Sequence, residues 1–345
     1  MQINILTDKE CGLIKNLIET SEKIIVCCHV NPDGDAIGSS LGMAEYIRSY
    51  GKQPLVIVPD QFPDFLKWLP GSEDIIRYDK HKSVADTAFE DADTVFCMDF
   101  NCVERVDGMS EALQASKSTK VMIDHHPNPQ MDTLVTVSHP ELSSTSELVF
   151  RVIWQLGSFD TMTPNMAVPI YCGMMTDTGG FTYNSNTPEI YFIISQLLMK
   201  GIDKDKIYRN VFNNYSSSRL RLIGYILYNK MQVNEEYHVA WFTITRQDMT
   251  RFMFKKGDAE GLVNMPLQIK GLKMSISLRE DTEKSNLIWV SLRSVDDFPC
   301  NEVAKEFFNG GGHLNAAGGR LHCSIEEAEN IVKLAIIRFA DQLSR

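Results

Sequence analysis

Asp124, His125 and His126 stand side by side at the end of the apolar run 120–123, and Pro127 and Pro129 turn the chain out of any strand directly afterwards. Two imidazoles and a carboxylate at a strand end can hold a cation or move a proton, although one such group alone reads equally well as a surface loop. Three further stretches present donors in the same manner. His29, Asp33 and Asp35 follow the β-rich run 23–28, Asp99 closes the run 94–98, and Asp177 follows the apolar segment 167–175. Hard carboxylates mixed with imidazoles, with no thiolate among them, suit six-coordinate Mn2+, Mg2+ or Fe2+ better than structural zinc. His29, Asp33, Asp35, Asp99, His125 and Asp177 are too many donors for one ion that keeps positions open for water and substrate. They fit two ions sharing a bridging carboxylate, the clamp used for in-line displacement at phosphorus. The residues therefore point to hydrolysis of a phosphoester or phosphoanhydride.

Such side chains need strand ends to carry them. Runs 23–28, 54–58, 94–98 and 120–123 read as short buried strands, and helical patterns over 8–20, 38–50 and 143–156 alternate with them. Strand–helix alternation predicts a parallel sheet covered by helices on both faces, with ligands at the carboxyl ends of the strands. Residues 186–230 read as mostly helical, broken by the polar stretch 213–218. Beyond it, strands over 239–245, 274–278 and 287–292 and helices over 302–308 and 326–343 predict a smaller mixed α/β domain. The expected division is a metal-binding catalytic domain over 1–212, a linker or helix over 213–230 and a substrate-binding domain over 231–345, with the active site in the cleft between them.

Composition narrows the class. A charged fraction of 23% and an apolar fraction of 43% are those of a soluble globular chain. No apolar run approaches the roughly 18–20 residues of a membrane span, the first residues carry no export signal, and the eight cysteines are scattered without a CxxC pair. A cytoplasmic protein with no membrane partner is expected. The net charge of −11 argues against a general grip on long nucleic acid. Residues 226–345 carry 15 Lys and Arg against 16 Asp and Glu, a balance of −1, so residues 1–225 hold the other −10. An acidic half suits cations; a nearly neutral half can supply local basic groups for an anion.

The motifs His29-x-x-x-Asp33-x-Asp35, Asp99, Asp124-His125-His126 and Asp177, in this order, resemble those of the DHH phosphoesterase superfamily. Within it the chain looks most like the bacterial oligoribonuclease (nanoRNase)/pAp phosphatase branch. The resemblance implies two divalent cations, most often Mn2+, one held by His29, Asp33 and Asp99 and the other by Asp35, Asp99, His125 and Asp177. It implies Asp99 as the bridge, Asp124 orienting a ligand, and His126 facing the scissile phosphate as stabiliser or proton donor. Residues 309–319, Asn-Gly-Gly-Gly-His-Leu-Asn-Ala-Ala-Gly-Gly, are similar to the substrate loop of the associated C-terminal domain. Gly310, Gly311 and Gly312 allow backbone N–H groups to turn toward an anion, and His313 and Asn315 add side chains. Arg293 is the candidate for a two-pronged contact with a phosphate, and Arg105, six residues past Asp99, is a further candidate.

The implied activity is Mn2+-dependent hydrolysis of very short single-stranded RNA and of 3′-phosphoadenosine 5′-phosphate. Close alternatives share the metal core: a cyclic or linear dinucleotide phosphodiesterase, or an exopolyphosphatase or pyrophosphatase. A nucleotide-binding regulator without turnover is the alternative of another class. A homodimer is left open as the assembly. Ser144 and Thr145 read as helix caps only.

Overall fold

A computed structural model describes residues 2–255 and 257–344. The chain divides into two compact units, Met1–Asn214 and Tyr215–Arg345.

The first unit is built on six parallel strands in the order β3-β2-β1-β4-β5-β6. They are β1 Ile24–Cys28, β2 Leu55–Val58, β3 Ile76–Arg77, β4 Thr94–Met98, β5 Thr119–Asp124 and β6 Val135–Ser138. β1 and β4 are buried at every position, as strands covered on both faces must be. Apolar cores lie on either side. Val26, Met98 and Ile123 join one, and Ile25, Cys97 and Met122 join the other. The edge strands β3 and β6 carry no sequence expectation, because two and four residues are too few to show a pattern. The apolar segment before Asp177 is the helix Pro164–Asp177, not a strand, and Asp177 is its last residue. This helix crosses the helix Gly34–Arg48 so closely that a Cβ on Gly38 would stand 2.5 Å from Pro169 O and 2.9 Å from Gly173 Cα. Only glycine permits that approach.

The order of the strands matters for function. From β1 the chain proceeds outward through β2 and β3, then returns to lay β4, β5 and β6 on the other side of β1. The direction of winding reverses between β1 and β4, and open α/β sheets hold their ligands at such a point. His29 follows β1 and Asp99 follows β4.

The second unit contains the sheet β11-β12-β10-β9-β8-β7, antiparallel except for the β8–β9 pair. Its strands are β7 Gln232–Asn234, β8 Val239–Ile244, β9 Met274–Glu280, β10 Ile288–Ser294, β11 Gly311–His313 and β12 Ala316–Leu321. Helices Cys300–Phe307 and Ile325–Arg338 bury Val303, Ala304, Val332 and Ala335 in one core with it. Residues 217–230, expected within a connecting segment, form the helix Ser217–Tyr225 and a π-turn Ile226–Lys230 that join a second core of this unit.

Candidate active site

Each motif of the first unit arrives at the carboxyl edge of the parallel sheet. Asp33 ends the loop after β1, where its Oδ1 caps the following helix by accepting from the N–H groups of Asp35 and Ala36, each at 3.0 Å. The same Oδ1 lies 4.0 Å from His29 Nε2, so capping and facing the imidazole are combined in one side chain. Asp99 adopts a left-handed backbone conformation, φ 62°, directly after β4. That conformation is uncommon outside glycine, though Asp tolerates it better than most, and it marks a position held by its surroundings.

Asp99 is the hub. Its Oδ2 stands 3.3 Å from His29 Nε2, while its Oδ1 stands 3.7 Å from His125 Nε2. His125 Nε2 also lies 3.5 Å from Asp177 Oδ2 and 3.9 Å from Asp35 Oδ2. Three donor sets within this unit have ligand atoms spaced as around one cation: His29, Asp33 and Asp99; Asp35, His125 and Asp177; and Asp99, Asp124 and His126. The two oxygens of Asp99 face different sets.

The imidazoles are oriented from behind. His29 Nδ1 lies 2.8 Å from the carbonyl of Val30, and His125 Nδ1 lies 3.3 Å from that of Leu142. Bonds of this kind fix the tautomer that leaves Nε2 to a metal. Asp124, expected to orient a metal-bound imidazole, instead holds His126, with Oδ1 2.7 Å from Nδ1. Fully buried, it leaves Oδ2 without a hydrogen-bond partner among the described residues.

The sequence reading missed Thr145. Ser144 caps the helix Thr145–Gln155, its Oγ accepting from Glu147 N–H. Thr145 Oγ1 donates to Asp99 Oδ1 at 2.8 Å, and the N–H groups of Thr145 and Ser146 donate to Asp35 Oδ2 and Oδ1 at 2.7 and 2.8 Å. The helix N-terminus, with its partial positive charge, is thus aimed at Asp35. The available signal was a pair of hydroxyls where one cap suffices. Behind them the buried pair Glu147–Arg151 and the side chain of Gln155 fasten residues 2–6 to the same helix.

Burial and charge set the protonation of this cluster. Burial and the neighbouring charges of Asp99 and Asp177 push the Asp35 carboxyl well above the usual range. Burial would also raise Asp99, but the hydrogen bond from His29 and the charges of three imidazoles hold it far below. Burial works against a charged His125, yet Asp177, Asp99 and Asp35 raise it to about 9. His29 is raised too, by Asp99 and Asp33 against burial and against the charge of Arg105. Arg105 lies in the 3-10 segment Val103–Met109, and its carbonyl accepts from Val30 N–H at 2.7 Å, joining the loops after β1 and β4.

The buried carboxylates of Asp35 and Asp99 stand together beside imidazoles, an arrangement that suits cations. A pair of divalent ions fits this donor set, with oxygen and imidazole ligands and no thiolate.

In the second unit the glycine run is a β-hairpin, not a loop. β11 pairs with β12 so that His313 opposes Ala316, which opposes Arg293 on β10. A Cβ on Gly310 would stand 1.8 Å from Gly318 O, and one on Gly312 would stand 2.5 Å from Ala316 O, whereas one on Gly311 would meet nothing within 4 Å. Close packing accounts for the first two glycines and leaves the third for another reason. Asn315 Nδ2 is engaged inside the unit, 3.0 Å from both Ser294 Oγ and the Asp296 carbonyl. Arg293 Nη1 donates to the Leu292 carbonyl at 2.9 Å.

An acidic, imidazole-lined centre at the switch point of a parallel sheet, followed by a separate mixed domain, is the architecture of a metal-dependent phosphoester hydrolase. Residues 23–174 match the N-terminal domain model of the DHH family, and residues 236–341 match the DHHA1 domain. The chain belongs to the DHH family of phosphoesterases. A crystal structure of an exopolyphosphatase-related protein from Bacteroides fragilis is 51% identical, with a TM-score of 0.93 over 99% of this chain and 100% of that one. A bifunctional oligoribonuclease and PAP phosphatase NrnA from Thermus thermophilus is 28% identical over 299 residues, 86% of this chain and 84% of that protein. The fold also matches RecJ from Thermus thermophilus in complex with Mn2+, at 11% identity and a TM-score of 0.56, over 99% of this chain and 56% of that one. Among the described residues no helix is long and apolar enough to cross a membrane.

Proposed function

We propose that the protein is a two-metal phosphoesterase that hydrolyses very short RNA to mononucleotides and 3′-phosphoadenosine 5′-phosphate to AMP, with Mn2+ as the working ion. The observation that carries the reading is the placement of Asp99, whose two oxygens reach separate His/Asp sets. The relative named for both activities adds support. His29, Asp33 and Asp99 would hold one ion, and Asp35, Asp99, His125 and Asp177 the other. Bound there, two divalent cations supply an acidified water and charge stabilisation at phosphorus.

The chain's own residues do the rest. Thr145 fixes the rotamer of the bridging carboxylate, and the helix N-terminus holds Asp35 with both oxygens directed. Asp124 pins His126 Nδ1, so that Nε2 is the ring atom to meet a phosphoryl oxygen, where it stabilises negative charge or delivers a proton. In the second unit, Arg293, His313 and the open backbone at Gly311 are the proposed contacts of the substrate's other phosphate, and Arg105 is a further one in the first unit. Asn315 acts by holding the hairpin turn.

A second reading, exopolyphosphatase activity, draws support from the 51% identical relative's description. Against it stands the acidic balance of residues 1–225, which repels a long polyanion. Turnover on a matched panel decides between them: RNA of two to about twenty nucleotides, 3′-phosphoadenosine 5′-phosphate, linear and cyclic dinucleotides, pyrophosphate and polyphosphate, each with Mn2+ or Mg2+. Fastest hydrolysis of the shortest RNAs, lost on chelation, is expected. Preference for a cyclic dinucleotide or a phosphoanhydride would overturn the substrate assignment, and binding without turnover would indicate a regulator.

A further inference from the structure

The second sheet has two unlike faces. On one, Ile288, Val290, Leu292, Ala317 and Leu321 are sealed in a core with the two long helices of the unit. The other face is covered only in part. Leu222, Ile226, Leu262 and Val263 pack on Phe242 and Ile244 of β8, and Ser275 and Ser277 of the adjoining β9 are buried there as well. Beyond β9 the cover thins: the segment Leu262–Gln268 reaches β10 but is not in contact with β12 to the same extent. Trp289, Ser291 and Arg293 of β10 are half-buried, alternating with buried neighbours, and Arg320 of β12 is exposed.

Trp289 stands out on this thinly covered half-sheet. It lies in register between Arg279 on β9 and Arg320 on β12. Among the described residues it belongs to neither core of the unit and makes no aromatic contact. Its Nε1 donates to Asp281 Oδ2 at 2.7 Å, and Asp281 Oδ1 accepts in turn from the N–H groups of Glu283 and Lys284. The indole is therefore fixed at its edge, with its one polar group satisfied and the side chain half-buried. Arg279, Arg293 and Arg320 share this face, and among the described residues none of them makes an ion pair. Arg279 sits 5.6 Å from the Phe254 ring at the rim of the covered half.

We infer that the thinly covered half-sheet binds a single-stranded oligonucleotide beyond its first nucleotide, with Trp289 stacking on a base and Arg279 and Arg320 meeting the flanking phosphates. A fixed ring beside unpaired cations is the combination that tracks single strands without reading their sequence. Trp289 lies four residues along β10 from Arg293, about 13 Å at roughly 3.3 Å per residue, so it serves a nucleotide farther along the chain than one held at Arg293. The inference rests on the oligonucleotide reading above and extends it to how length is sensed.

The test compares wild type, Trp289→Ala and Trp289→Phe on trinucleotide RNA and on 3′-phosphoadenosine 5′-phosphate, and measures binding of a fluorescent trinucleotide in chelator. Trp289→Ala should raise the trinucleotide KM and Kd about tenfold, the scale of one lost base stack, leave the mononucleotide KM unchanged, and be rescued by Phe. Arg320→Ala should make the loss of trinucleotide binding with salt shallower, by the slope of one phosphate contact. Unchanged trinucleotide KM and Kd in Trp289→Ala, with wild type active on RNA, would overturn this site and leave the proposed function standing. Neither turnover nor binding of RNA by wild type would overturn both.

Discussion

In the first unit Asp35, Asp99 and Asp124 are at most 2% exposed and are met by three imidazoles and a helix N-terminus. In the second unit Arg293, Trp289 and His313 stand half-buried on strand faces, beside serines and glycines. Buried charges lock one another in place and pre-organise a centre for cations, at the cost of strong mutual perturbation. Side chains at a half-open sheet keep ordinary chemistry and room for an anion to approach. On the proposed function, the contrast separates a site that performs the reaction from a surface that selects what is brought to it.

The largest expected effect breaks the first unit at its hub. Asp99→Ala removes both metal-facing oxygens, and turnover should fall by more than the ~10^4-fold that loss of a single acid–base group costs, with the far-ultraviolet circular dichroism retained. Wild-type-like rates in this variant would end the two-ion model. Next comes Thr145→Val, which keeps the shape and deletes the hydroxyl that donates to Asp99 Oδ1. Metal affinity should weaken about 10- to 100-fold, as for other groups that orient ligands, measured by calorimetry and separately from turnover. Equal affinity would return Thr145 to the role of a helix residue.

Two glycines sharpen the second half of the comparison. Gly310→Ala forces a Cβ against Gly318 O and should destabilise the protein by about 1–3 kcal/mol in denaturant unfolding. Gly311→Ala meets open space and should leave stability unchanged while weakening substrate affinity. Unaltered affinity would remove Gly311 from the substrate surface.

The smallest effect is a pH dependence. In metal-free protein His125 has its pKa raised to about 9 from an ordinary 6.5, so the stability it contributes is complete below pH 6.5 and is lost as pH rises through about 9. The raised Asp35 carboxyl acts in the same direction. Thermal unfolding in chelator should show Tm falling over this window, and a saturating divalent cation should remove the fall. A Tm that rises from pH 6.5 to 9 in chelator would contradict this assignment of charge.

The grouping of these His and Asp side chains was legible in the sequence because each follows an apolar run, where chain direction places it near one edge of a parallel sheet. Asp177 was found by that rule even though its run is a helix. Thr145 was not, since its hydroxyl acts on Asp99, 46 residues away, and such a partner leaves no local trace. Asp124 was expected behind a ligand and is instead behind His126; adjacent positions on one turn do not reveal which ring a carboxylate meets. The glycine run reads as a loop because glycine suits turns, while its pairing with β12 depends on close backbone approach that only three dimensions supply. The edge strands β3 and β6 were too short to show periodicity.

The most direct test of the account is calorimetric titration of the metal-stripped protein with Mn2+, run beside Asp99→Ala. Two ions per chain in the wild type, reduced in the variant, with oligonucleotide hydrolysis appearing as the second ion binds, is the predicted result. A single ion per chain supporting full turnover would contradict a centre bridged by Asp99.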